Sequence, residues 1–114
     1  MILATIDAIP GKTLEVLGLV QGTIVPSKDY FHDWFSGLKT LVGGELDSYT
    51  DMIEEARSIA TKRMVDEAEE LGADAIVGVR YGSSSVMDGA AEIIAYGTAV
   101  KFKRQQTKSV SADE

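Results

Sequence analysis

His32 is the single histidine of this 114-residue sequence, and it stands among carboxylates: Asp29 lies three positions earlier and Asp33 is its neighbour. Residues three apart share one face of a helix, so Asp29 and His32 could hold a divalent metal ion together, with Asp33 as a third ligand. A zinc site takes about three or four protein ligands. The alternative is a solvated polar helix face, unless a symmetric oligomer brings several copies of the group together.

Two other clusters could bind ligands. Tyr30, Phe31, Trp34 and Phe35 are half of the aromatic residues of the chain, and they predict either a stacking surface or packing in the core or between subunits. Four carboxylates crowd residues 66–70, where they could attract cations or a basic partner, or form a solvated acidic face. We expect Lys62 and Arg63 to offset them through pairs four residues apart.

Covalent catalysis has little support in the sequence. Ser83, Ser84 and Ser85 offer hydroxyls, but a nucleophilic serine needs a base within hydrogen-bond reach, and the one histidine is distant along the chain. Cysteine is absent, which excludes disulfides, thiolate metal sites and cysteine nucleophiles. No glycine-rich phosphate-binding pattern is present. We therefore expect a non-enzymatic protein with no cofactor, a divalent metal at Asp29, His32 and Asp33 being the exception.

The net charge of the chain limits the kinds of partner that we expect. The formal net charge is -7, from 11 Lys and Arg against 18 Asp and Glu, which argues against nucleic-acid binding and against attraction to anionic lipid. The start of the chain has no basic residues before its apolar run, and no apolar stretch approaches the roughly 20 residues of a membrane span. The expected location is the cytoplasm.

The apolar pattern predicts a short series of elements. Alternation favours strands, a 3.6-residue period favours helices, and Pro and Gly mark their ends. The predicted strands are residues 1–6, 13–25, 73–81 and 90–103, the helices 28–42 and 49–71, the loop 83–89, and the disordered polar tail 104–114.

This order predicts an α+β fold with two layers, an antiparallel sheet carrying its helices on one face. The opposite face is not polar enough for water, because Leu17 and Leu19 fall on the mixed side of the second strand. We expect another subunit to cover it. Gly18 and Gly22 within that strand predict a bulge or a close approach of another backbone.

Several segments resemble the YbjQ-like family, which carries a heavy-metal-binding label. They are residues 30–38, Val42-Gly43-Gly44, residues 71–78 and residues 96–100, and the resemblance extends over residues 1–103. It implies a single dodecin-like domain, with an antiparallel sheet packed on helices, that assembles into a ring-shaped homopentamer. The predicted function is a homo-oligomeric binding or scaffold protein. The alternative is a metal- or small-ligand-binding module with its site between subunits.

Overall fold

In the described part of the chain, one helix lies on a four-stranded sheet. The computed structural model describes residues 1–26, 45–87 and 90–104. The strands are β1 (Ile2–Leu3), β2 (Thr13–Ile24), β3 (Ala75–Met87) and β4 (Ala90–Lys103), and the helix is α1 (Glu45–Glu70). The predicted α+β class, with helix packed on one face of the sheet, is confirmed. The predicted helix over 28–42 and the tail from residue 105 lie outside the described residues.

The sheet has the order β1-β3-β4-β2, with β1 and β2 at its edges. β4 pairs antiparallel with both β2 and β3, as expected of a hairpin between consecutive strands. β1 instead runs parallel to β3, with Ile2 opposite Ala75. The prediction of a wholly antiparallel sheet is therefore wrong at this edge. The intervening β2 and α1 provide the long crossover connection that parallel neighbours require.

Strand β3 continues beyond its predicted end at residue 81, through the segment predicted to be a loop. Ser83, Ser84 and Ser85 pair in register with Ile93, Glu92 and Ala91 of β4. Serine favours turns in isolation. Here the neighbouring strand supplies backbone partners, and that tertiary context decides the conformation.

Helix α1 begins at Glu45, four residues before its predicted start. A helix start rich in acidic residues is favourable because the N-terminal end of the helix dipole is positive. The predicted stop at Gly72 is confirmed. This glycine has φ +80°, and the Ala73 amide donates to the Ala68 carbonyl at 3.1 Å, which is a Schellman motif.

The main core lies between α1 and the sheet. The helix contributes a stripe of small and flexible side chains, and Leu71, directly after it, is exposed. The buried members are Met52, Ala56, Ala60, Met64 and Ala68 from α1, with Val20, Ile24, Ile76, Val79, Ile93, Ala95 and Ala99 from the sheet.

Gly22 is where α1 and β2 come into contact. A methyl group added there would collide with the Ala60 carbonyl oxygen and the Met64 amide nitrogen, and would lie 2.7 Å from Cβ of Arg63. The close approach predicted for this glycine is confirmed.

A bulge interrupts β2, as its other glycine predicted. Val16 pairs with Val100 and Gly18 pairs with Ala99, so Leu17 is an extra residue without a partner on β4. Gly18 takes φ +147°, a conformation that favours glycine.

The bulge changes which side chains share a face of the sheet. Leu19 opposes Thr98 and Val16 opposes Val100, and these two β4 residues are two apart and so lie on one face. Val16 and Leu19 therefore both point away from α1. Simple alternation along β2 predicts that Val16 and Leu19 lie on opposite faces. That prediction is wrong because Leu17 is an extra residue between them.

Candidate functional site

The face of the sheet turned away from α1 carries an exposed apolar cluster, here called the outer patch: Val16, Leu19, Ile94 and Tyr96. Leu19 is 80% exposed, Val16 is 69% exposed and Tyr96 is 41% exposed. Leu19 lies diagonal to Tyr96 across the β2–β4 ladder, close enough for side-chain contact. An aromatic and two large aliphatic side chains in water are a typical sign of a binding surface.

The outer patch borders a groove of about 530 Å³ at the β2 edge of the sheet, lined by Leu19, Val20, Gln21, Glu67, Ile94 and Tyr96. Glu67 of α1 reaches this edge, where its Oε1 accepts a hydrogen bond from the Gln21 amide at 2.8 Å. Arg63 donates to the Thr23 carbonyl at 2.6 Å. Side chains of the helix thus occupy part of the free backbone edge, one of the ways in which proteins keep edge strands from pairing indiscriminately.

The described residues cover only part of the outer face. Ala75, Val77 and Val100 form a second small core, against which Ile9 of the β1–β2 connection packs. Val100 is accordingly 1% exposed, in contrast to Val16 directly opposite it. The connection shields the side of the face nearer β3 and leaves the outer patch open.

A second exposed apolar cluster lies at the opposite edge of the sheet, formed by residues before β2. We call it the N-terminal patch: Met1, Ile2, Leu3 and Ile6, the last of which is 56% exposed. Ile2 and Leu3 are consecutive in β1 and point to opposite faces of the sheet, so the patch extends around this edge. Backbone hydrogen bonds fix it beside β3, from the Ala4 amide to the Ile76 carbonyl and from the Gly78 amide to the Ile6 carbonyl. Sequence patterning predicts a strand here but not its edge position, which depends on pairing with β3.

The acidic residues near the end of α1 do not form a metal site in the described part of the chain. Asp66 pairs with Lys62 at 3.1 Å, as predicted, but the expected Arg63–Glu67 pair is replaced by the contacts of both residues with β2. Among the described residues, no three acidic or histidine side chains come together to hold a cation.

The predicted metal ligands Asp29, His32 and Asp33 lie outside the described residues, as does the aromatic cluster of residues 30–35. The metal site therefore stays a prediction. No helix in the described ranges is both long and apolar enough to cross a membrane.

Comparison with known proteins supplies the family. A family model described as "Putative heavy-metal-binding" matches residues 1–103. The chain belongs to the YbjQ family. Family members with similar sequences are UPF0145 proteins: one from Alkaliphilus metalliredigens is 61% identical over 90% of this chain and 99% of the relative, and one from Clostridium novyi is 57% identical over the same shares. A UPF0145 protein of Thermotoga maritima is 53% identical over 91% of this chain and 99% of its own length.

One solved structure supports the YbjQ-family fold. It is a protein of unknown function of the DUF74 family from Pediococcus pentosaceus, 17% identical, covering 90% of this chain and 98% of its own with a TM-score of 0.57. At that identity the likeness concerns the fold alone.

Proposed function

We propose that this chain is a non-enzymatic scaffold or binding subunit that works as a homo-oligomer, with the outer patch as a contact surface. The exposure of Leu19, at 80%, is the observation that carries the proposal. Burying a large aliphatic side chain stabilises an interface by about 1.5–3 kcal/mol. The neighbouring Val16 and Tyr96 extend the same surface.

The two patches favour a head-to-tail contact. The outer patch lies toward the β2 edge and the N-terminal patch lies at the β1 edge, at opposite ends of the strand order. A two-fold contact joins identical surfaces, whereas a contact between different surfaces closes into a ring when its rotation permits. A single contact between different surfaces buries the outer patch of one subunit and the N-terminal patch of the next. A ring of five dodecin-like subunits, as the family resemblance implies, fits this arrangement.

Near Gln21, the backbone groups at the β2 edge favour a contact through side chains over the addition of a strand from another subunit. The Gln21 amide and the Thr23 carbonyl already have partners on α1. A second copy that paired its backbone there would have to displace Glu67 and Arg63. We therefore assign the contact to the apolar side chains.

Leu19→Asp tests the assembly. An aspartate in an apolar interface loses the burial of leucine and adds the cost of desolvating a charge, so the variant should be largely monomeric at micromolar concentration by native mass spectrometry. Leu71→Asp is the matched control, because Leu71 is also exposed but belongs to neither patch. It should keep the wild-type mass. A monomeric wild type would overturn the proposal.

A mixing experiment tests the head-to-tail arrangement separately. Leu19→Asp leaves the N-terminal patch intact, and Ile6→Asp leaves the outer patch intact. Each variant alone should fail to close a ring, while an equimolar mixture should give heterodimers joined through the two intact surfaces. If the wild type is oligomeric but the mixture stays monomeric, assembly stands and the pairing of these two patches is wrong.

A further inference from the structure

The helix side of the sheet holds a groove separate from both patches. It lies between the first half of α1, the second half of β3 and the start of β4, and its volume is about 250 Å³. The residues that line it are Ile53, Arg57, Tyr81, Gly82, Ser83, Ala91 and Ile93. Its floor is apolar, with Ile93 buried and Ile53 and Ala91 partly buried. Binding sites for small organic molecules combine such a floor with a few polar groups.

Arg57 stands where this groove meets two neighbouring clefts. It also lines a cleft of about 540 Å³ toward Lys62 and one of about 280 Å³ toward Thr50. Glu54 also lines both neighbouring clefts, whereas the described lining of the groove itself holds Arg57 and no carboxylate.

The guanidinium of Arg57 has no hydrogen bond or ion pair to the residues that the structure describes. Most of the other described basic side chains do have a contact. Lys62 pairs with Asp66, Arg63 and Arg80 donate to carbonyls of Thr23 and Thr5, Lys101 donates to the carbonyl of Gly72, and Lys12 lies over the Phe102 ring. Lys103 and Arg104, at the end of β4, line no cavity described above. Arg57 therefore presents to the groove a charge that no described residue neutralises.

The hydroxyl of Tyr81 is oriented by the helix. Thr61 Oγ1 donates its one proton to the Arg57 carbonyl at 2.8 Å, so in the 2.8 Å contact between the two hydroxyls Tyr81 is the donor. Tyr81 consequently offers the groove its ring as an apolar wall. Donors for an anion come from Arg57, whose planar guanidinium suits a carboxylate, and from the Ser83 hydroxyl.

We propose that this groove binds a small monocarboxylate with an apolar body, its carboxylate on Arg57 and its hydrocarbon part on Ile53, Ile93 and the Tyr81 ring. The inference does not depend on the proposed assembly. The charge selects an anion, the apolar floor disfavours a bare inorganic ion, and the volume of the groove suits a small ligand.

Octanoate is a suitable probe, and octanol is its uncharged counterpart. Titration of octanoate into the ¹⁵N-labelled full chain should give saturable amide shifts at Ile53, Ser83 and Ala91, and octanol should bind at least about tenfold more weakly because it lacks the charge-assisted contact. Absence of saturable shifts at millimolar octanoate would overturn the proposal, and so would equal binding of octanol.

Arg57→Gln tests the anchoring residue, with Lys103→Gln as its control, since both remove one positive charge. Arg57→Gln should weaken octanoate binding by about tenfold or more, and Lys103→Gln should leave the Kd unchanged. An unchanged amide spectrum away from the groove shows that the Arg57 variant is folded. Equal affinities of the two variants would assign the effect to net charge and defeat the site.

Discussion

Gly22 decides how closely helix and sheet pack, and it is the residue whose replacement should be most costly. A Cβ at this position meets backbone atoms of Ala60 and Met64, which have little room to move. Gly22→Ala should therefore lower the free energy of unfolding by about 1–3 kcal/mol or more, measured by urea denaturation. Gly82→Ala is the control, because its nearest neighbour, Ile94 Cγ2, is at 3.4 Å. Similar losses in both variants would contradict this packing argument.

Single residue types predicted local features well. Gly72 predicted the end of α1, and the strand glycines predicted one bulge and one close approach, because each reflects a local backbone requirement. The position of Arg57 at the groove, without an ion pair to the described residues, gave no such signal. Its importance depends on β3 and β4 passing beneath α1, which no spacing within the helix reveals.

At the scale of elements, the contact between α1 and the edge of β2 can be tested through Glu67. Glu67→Ala removes the acceptor of the Gln21 amide, and we expect hydrogen exchange at that amide to become about three- to tenfold faster, as befits the loss of one exposed hydrogen bond. Glu69→Ala should not change it, since the Glu69 side chain makes no hydrogen bond to the described residues.

Equal exchange at Gln21 in the two variants would show that the strand edge is protected by something other than Glu67. Glu67→Gln refines the test, because its amide oxygen can still accept. Its exchange rate should fall between those of the wild type and Glu67→Ala.

The elements themselves followed from hydrophobic periodicity where the pattern was long. β2 and β4 were predicted nearly to their bounds. The outer patch was predicted only in part. Leu19 was expected to need cover, but the bulge at Leu17, which places Val16 beside it, appears only when the register with β4 is known. The serines of β3 and the parallel β1 were missed for the same reason, since both depend on neighbouring strands.

At the scale of the whole molecule, the predicted metal ligands connect to assembly. Copies related by rotation could bring several Asp29, His32 and Asp33 groups together, which one chain cannot do. If these side chains bind Zn²⁺, the ion at a hundredfold excess over its Kd should stabilise the folded protein by about 2.7 kcal/mol. The resulting rise in Tm can be measured by differential scanning fluorimetry.

His32→Ala should abolish that shift, and Glu55→Ala, on the exposed side of α1, should keep it. If the Zn²⁺-induced rise in Tm is also lost in the monomeric Leu19→Asp variant, the site lies between subunits. A wild type indifferent to every first-row divalent metal would remove the metal-binding alternative.

The bulge at Leu17 also gives β2 one position at which its chain length can change. Deleting Leu17 would leave Val16 and Gly18 consecutive opposite Val100 and Ala99, so β2 would pair with β4 without interruption and every other pair would be kept. A deletion elsewhere in the strand would shift a segment of β2 by one residue and turn its side chains to the opposite face. An insertion and deletion scan across this strand should therefore find its most tolerant position for a single-codon deletion at the bulge, where the cost is the packing of Leu17 against the main core.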